Sequence, residues 1–226
     1  MYRTFADYLR SLDDVALSRM FALRPDLISP TPPDYAALAV RANSGPSISR
    51  VIDSLNALEL QVLEALMSLE EPIKVKELEK ITDTSARFVY KKFEEIGIVY
   101  EGLIPTTLRE AIGAEPAGLG PRSLAKLDFK ELDNAPDSAK KVMSALTWGP
   151  PRGSVGDIKN PGPGIAWLLE RHFVVPLDQK HVVMPAEVAI YLRGGKVHKE
   201  LHAKAPELEG KKYSQSDIDR AAIANI

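Results

Sequence analysis

Apolar residues recur along this chain with helical spacing, broken by short runs that alternate as strands do. Leu58, Val62, Leu63, Leu66 and Leu69 form the stripe of one helix face, which ends near Glu70-Glu71-Pro72. Asn56 and Glu59 precede it in the spacing of a capping box, where each side chain satisfies the other's backbone N–H at a helix start. Val75, Leu78 and Ile81 predict a second, shorter helix, and Thr82-Asp83-Thr84-Ser85 a turn. From about Ser85 to Ile96 a third helix places Ala86, Val89, Tyr90, Phe93 and Ile96 on one arc, with Gly97 as its C-terminal cap. Ile98-Val99-Tyr100 and Leu103-Ile104 then flank Glu101-Gly102, a pair suited to a two-residue hairpin turn. Helix, helix, turn, helix and hairpin in that order predict a winged helix over residues 56–113.

Residues 134–195 follow a similar plan. Asn134-Ala135-Pro136-Asp137 opens a helix holding Val142, Ala145 and Leu146, closed by Trp148-Gly149-Pro150-Pro151. A Gly/Pro-rich loop leads to a short helix with Ile165, Leu168 and Leu169 inward and Trp167 outward, then to a hairpin of Phe173–Leu177 and His181–Met184 turning at Asp178-Gln179. Pro105 precedes a helix ending at Gly113, and Pro185 one ending at Gly194-Gly195, so both units share the same exit, 80 residues apart. Ahead of them, residues 1–55 read as three or four short helices. Cap candidates at Thr4, Ser11 and Thr31 precede apolar stripes, and the last helix contains Ile48, Val51, Ile52 and Leu55. Residues 114–133 read as a linker, and 196–226 as a linker leading into the start of an amphipathic helix. The expected fold class is mainly α with small β-hairpin wings: an N-terminal helical segment and two tandem winged helices.

Charge and composition narrow the function. The 226 residues include no cysteine, which excludes disulfides, thiolate metal sites and a cysteine nucleophile and suits a cytoplasmic setting. No apolar run reaches the roughly 20 residues of a membrane helix. Net charge is −2 with a pI near 6.1, so no global basic field draws in nucleic acid. Residues 50–113 carry eight basic and twelve acidic side chains, whereas 134–195 carry seven and five. Any contact with DNA therefore depends on local patches.

Chemistry is sparse. No Gly-rich loop ends in Lys-Ser/Thr, so nothing cradles a nucleotide phosphate. His198 and His202 stand four apart, but Lys199 occupies the position where a zincin has glutamate, and the pair reads as solvated. No cofactor or metal is expected, and no nucleophile elbow points to an enzyme. Arg87, Lys91 and Lys92 lie in the first half of the third helix, the part of a recognition helix that meets base edges and phosphates. Glu94 and Glu95 in its second half would repel them, and an ordinary solvated face competes as a reading. Arg152, Lys159 and Lys180 are the cations nearest the short helix and hairpin of the second unit, where the loop leaves the helix N-terminus open to a phosphate. Phe88, Trp167 and the neighbouring Arg171 are candidate partner contacts, with packing of Trp167 on another domain as the competing reading.

Several segments carry a resemblance: Trp148-Gly149-Pro150-Pro151-Arg152-Gly153, Gly164–Arg171 and Pro185–Gly195, with Phe5–Leu12, Arg24–Leu27 and Leu58–Leu66 toward the start. They resemble actinobacterial helicase-associated proteins carrying a helicase XPB-type N-terminal domain, over nearly the whole chain. His172 departs from the pattern, standing where a glycine would cap the short helix. The resemblance implies the N-terminal part of a larger DNA-transaction protein: a non-catalytic module whose partner is DNA, bound weakly and without sequence preference, or a DNA-processing protein such as a helicase. The alternative is a protein-interaction scaffold whose winged helices never touch DNA.

Overall fold

Capping chemistry decides where the helices begin in the computed structural model, which describes residues 4–202. The hydroxyl of Thr4 accepts from the Asp7 N–H ahead of α1 (Phe5–Ser11). Asp13, not Ser11, caps α2 (Asp14–Leu23), and Asp34, not Thr31, caps α3 (Tyr35–Ala42). Aspartate at these positions leaves the neighbouring hydroxyls redundant. α4 (Gly45–Ser54) is followed by the Asn56–Glu59 capping box at the head of α5 (Ala57–Met67), with both reciprocal bonds made, at 2.9 and 3.1 Å. Then come α6 (Val75–Ile81), α7 (Ala86–Glu95) and α8 (Thr106–Ile112). The expected arc of α7 is buried, from Ala86 to Ile96.

Between α7 and α8 the chain reverses at Glu101-Gly102, with Tyr100 and Leu103 exchanging both backbone bonds. Glu101 and Gly102 have φ of +50° and +77°, the signs a two-residue hairpin turn demands. Gly102 is needed for a second reason: its carbonyl accepts from the Ile73 N–H at 2.8 Å, and a Cβ there would stand 2.7 Å from the Ile73 backbone.

The second unit runs α9 (Asp137–Thr147), β1 (Arg152–Ser154), α10 (Pro163–Glu170), β2 (Val175–Pro176), β3 (His181–Val183) and α11 (Ala186–Leu192). Its strands form one antiparallel sheet in the order β1-β3-β2, with Val183 opposite both Arg152 and Val175. The molecule is thus mainly helical with a small three-stranded sheet. β1 is an addition to the expected plan: it arises inside the Gly/Pro-rich loop. Just past the end of α10, His172 has a φ of +60°, the left-handed geometry a glycine would adopt at no cost.

The core redraws the expected boundaries. One apolar cluster runs from Ile48 on α4 to Val197 and includes residues of both units. α4, assigned from sequence to the N-terminal segment, packs with the first unit through Ile48 and Val51. Residues 114–133, read as a linker, bury Leu119, and residues 196–202 likewise bury Val197. The helix start expected near the C-terminus lies outside the described residues.

A second, smaller cluster holds Phe5, Leu9, Met20, Leu27 and Leu38, with Tyr100 of the first unit packed against it. Arg24 joins the two. Only 2% exposed, it donates to the carbonyls of Ile96 (3.1 Å) and Ala42 (2.8 Å) and to the Ser47 hydroxyl (2.6 Å), and Asp26 stands 3.9 Å away. Burial lowers its pKa, partly offset by Asp26.

Replacing Arg24 by Met should destabilise the protein by about 3 kcal/mol in urea unfolding, because three buried acceptors lose their donors. Replacing His172 by Gly should act in the opposite direction, stabilising by about 1 kcal/mol through relief of the left-handed backbone. An unchanged or lowered denaturation midpoint for the glycine variant would show that the His172 side chain compensates for its backbone.

Candidate functional site

The expected recognition face lies on α7, and two of its three cations are engaged by carboxylates. The guanidinium of Arg87 forks onto Glu79 of α6 at 2.9 and 3.3 Å. Lys92 donates to Glu59 Oε1 at 2.6 Å while Glu59 Oε2 completes the capping box, so this lysine strengthens the start of α5. Lys91 lines a cleft of about 170 Å3 with Glu94, Glu95 and residues of α1 and α2, among them Tyr8 and Met20. Arg19 of α2 reaches Glu95 at 2.8 Å across the same cleft. Burial raises the pKa of Glu94, with Lys91 opposing the shift, and the Tyr90 phenol is pushed up to about 12 mainly by burial, with Glu94 and then Tyr8 adding to it. The N-terminal helices therefore cover the second half of α7. Its first turn remains open, and there Phe88 is 76% exposed.

In the second unit Arg152 pairs with Glu115. Lys159 and Lys180 are brought to one edge because the Val155 N–H bonds the Lys180 carbonyl (2.8 Å) and the Ile158 N–H bonds the Gln179 carbonyl (2.9 Å). Neither lysine has a carboxylate partner among the described residues, although Asp157 and Asp178 turn the backbone beside them. The N-terminus of α10 is less open than its loop suggested. Gly164 is buried on α9, where a Cβ would lie 2.6 Å from the Ser138 carbonyl carbon. Trp167 does not face away from its unit: its ring stacks with Phe173 at 5.8 Å, and Arg171 lies 4.5 Å above it. Arg171 also pairs with Glu131 and Glu170, both at 2.6 Å, and these carboxylates raise its pKa. Of the three candidate partner contacts, Trp167 and Arg171 are thus engaged within the molecule, and Phe88 stays exposed.

His198 and His202 belong to an irregular strap, not to a helix. The Val197 N–H bonds the Ile81 carbonyl at 3.0 Å, Lys196 reaches the Thr82 carbonyl, and the His202 N–H bonds the Gln61 side-chain oxygen Oε1 at 2.8 Å. His198 Nε2 lies 3.1 Å from the Gln61 carbonyl and 3.3 Å from Glu64. Both neighbours are acceptors, so Nε2 carries a proton and donates. The sequence reading of a solvated pair fails at His198, whose side chain is only 15% exposed. Among the described residues no three His, Cys, Asp or Glu side chains converge to hold a metal.

Sequence reasoning missed Arg193. It is 8% exposed and donates from Nε to the Thr147 carbonyl at 2.6 Å, with its other nitrogens bonding the carbonyls of Ala117, Gly118 and Val197. Its guanidinium lies 4.6 Å from the centre of the Trp148 ring. A usable signal was an arginine directly after the apolar run Val188-Ala189-Ile190-Tyr191-Leu192, where a buried position was due. No family model, curated protein or solved structure matches the chain.

The strap yields a pH dependence of known sign. Burial lowers the His198 pKa below 6.5, with Arg193 and His202 acting the same way and Glu64 and the Gln61 carbonyl opposing. The unfolded chain then takes up the proton first as pH falls through 6.5, and folding loses stability from there down to the lowered native value. His198→Gln keeps a donor but does not titrate. Its melting temperature should fall less between pH 7 and pH 5 than that of the unaltered chain, and equal falls would exclude His198 as the source.

Proposed function

We propose that this chain is a non-catalytic tandem winged-helix module of a larger DNA-transaction protein, and that it works by docking other proteins. The carrying observation is the state of α7: the N-terminal helices cover its second half, and Arg87 and Lys92 sit on Glu79 and Glu59. Exposed pairs like Arg87–Glu79 contribute little to stability and can break, but each cation is accompanied by a carboxylate, so the face offers a phosphate backbone almost no net attraction. The element order α5-α6-α7-hairpin and the sheet after α10 support the winged-helix reading. The sequence resemblance supports a helicase association in the cytoplasm. Among the described residues no helix is long and apolar enough to cross a membrane.

A second reading, weak DNA contact through the second unit, has one observation in its favour: Lys159 and Lys180 share an edge, with no carboxylate partner among the described residues. Two phosphate contacts correspond to a slope of log K against log salt of about −2. Titration of the full chain with duplex, forked and single-stranded DNA should show no saturable binding at physiological salt. Any binding at low salt should follow that shallow slope and weaken in Lys159→Glu and Lys180→Glu. A slope steeper than about −4, or an equal loss in Arg87→Glu and Lys91→Glu, would overturn the docking reading and make α7 a DNA-reading helix.

A further inference from the structure

Two segments that carry the resemblance have no part in the reading above, and the fold lays them side by side. Trp148 closes α9, Tyr191 lies near the end of α11, and between them runs an open groove of about 490 Å3. Leu132 and Met143 form its apolar floor, and Lys140 and Asp133 stand on its rim. Trp148 and Tyr191 are 42% and 47% exposed, which is unusual for large aromatic side chains in a molecule with this much interior.

We propose that this groove docks an acidic amphipathic helix of a partner protein. The inference rests on the docking reading and names its site and the chemistry of its ligand. Both aromatic walls are set before any partner arrives. Arg193 supports the Trp148 ring while its own donors are held by backbone carbonyls, and Tyr191 stacks on Phe129 with ring centres 4.4 Å apart and planes 13° from parallel. Fixed aromatic walls lose little conformational freedom on binding, which is the main cost a docking surface must offset.

The groove's borders select a helix. It is bounded by α9, α11 and the 3-10 turn at Phe129–Asn134, whose backbone groups are not arranged as a strand edge. An extended peptide would leave its own N–H and C=O groups unpaired over an apolar floor, whereas a helix satisfies them internally and presents side chains alone. Charge selects the acidic kind. Lys140 on the rim and Lys199, whose Nζ is 5.1 Å from the Trp148 ring centre, have no carboxylate partner among the described residues, and they outnumber Asp133. A nucleic-acid strand would need more cations along its backbone and flat stacking partners in place of an aliphatic floor.

The test uses the full chain, isotope-labelled, and two synthetic helical peptides with leucine along one face, one otherwise rich in glutamate and the other in lysine. Saturable shifts should appear at residues 140–148 and 191–193 with the glutamate peptide and be weaker with the lysine peptide. Lys140→Glu should weaken the glutamate peptide about fivefold, and Ser144→Trp, which fills the groove from an exposed position of α9, should abolish its binding. Both variants should melt as the unaltered chain does. Shifts centred on Phe88 would overturn the groove while leaving the docking reading intact, and so would silence with either peptide. Displacement of the glutamate peptide by oligothymidine would assign the groove to single-stranded nucleic acid and overturn the proposal.

Discussion

A buried guanidinium needs acceptors for its N–H groups, and two arginines shape this molecule through that need, although the Nε of Arg24 has no partner among the described residues. Among the described residues Arg193 has no carboxylate partner and bonds carbonyls alone, from residues 117, 118, 147 and 197. The chain after α8, the end of α9 and the start of the strap must therefore converge on one side chain. Arg24 imposes the same demand at the other end, drawing the end of α3, α4 and the end of α7 together. Leaving such a group unpaired inside the molecule costs several kcal/mol, so each arginine selects one arrangement of its neighbours against looser ones.

The same economy of charge governs the surface. Glu59, Glu79 and Glu115 each take up a cation, Lys92, Arg87 and Arg152, that the sequence alone placed at a nucleic-acid interface. Beside the unpaired Lys159 and Lys180, the described surface leaves aromatic side chains uncovered, at Phe88 in the first turn of α7 and in the groove of the second unit. Much of its positive charge is interspersed with acids instead of being gathered into one basic stripe.

Local structure was legible where the signal was local. The Asn56–Glu59 capping box, the buried arc of α7, Gly97 at its end and the Glu101-Gly102 turn all depend on residues within a few positions of one another. So does the misfit at His172, where the expectation of glycine matched a real left-handed backbone. The failures are long-range. Trp167 was assigned to the outside because a helical wheel knows nothing of Phe173 folding back beneath it, and the ion pairs of Arg87 and Arg152 join elements whose packing no periodicity reveals. Residues 114–133 and 196–202 look like linkers because their composition is polar and broken, yet Leu119 and Leu132 in the first and Val197 in the second bind them to the core.

The strap has a consequence for how the molecule is held together. His198 meets Gln61 across 137 residues of sequence, so its site exists only once α5, α6 and α11 have already been assembled. A contact that closes so long a loop depends on tertiary assembly and exists only in the folded molecule. Through it and the bonds of Val197 to Ile81 and His202 to Gln61, a short irregular segment ties the far end of the described chain back to the first unit.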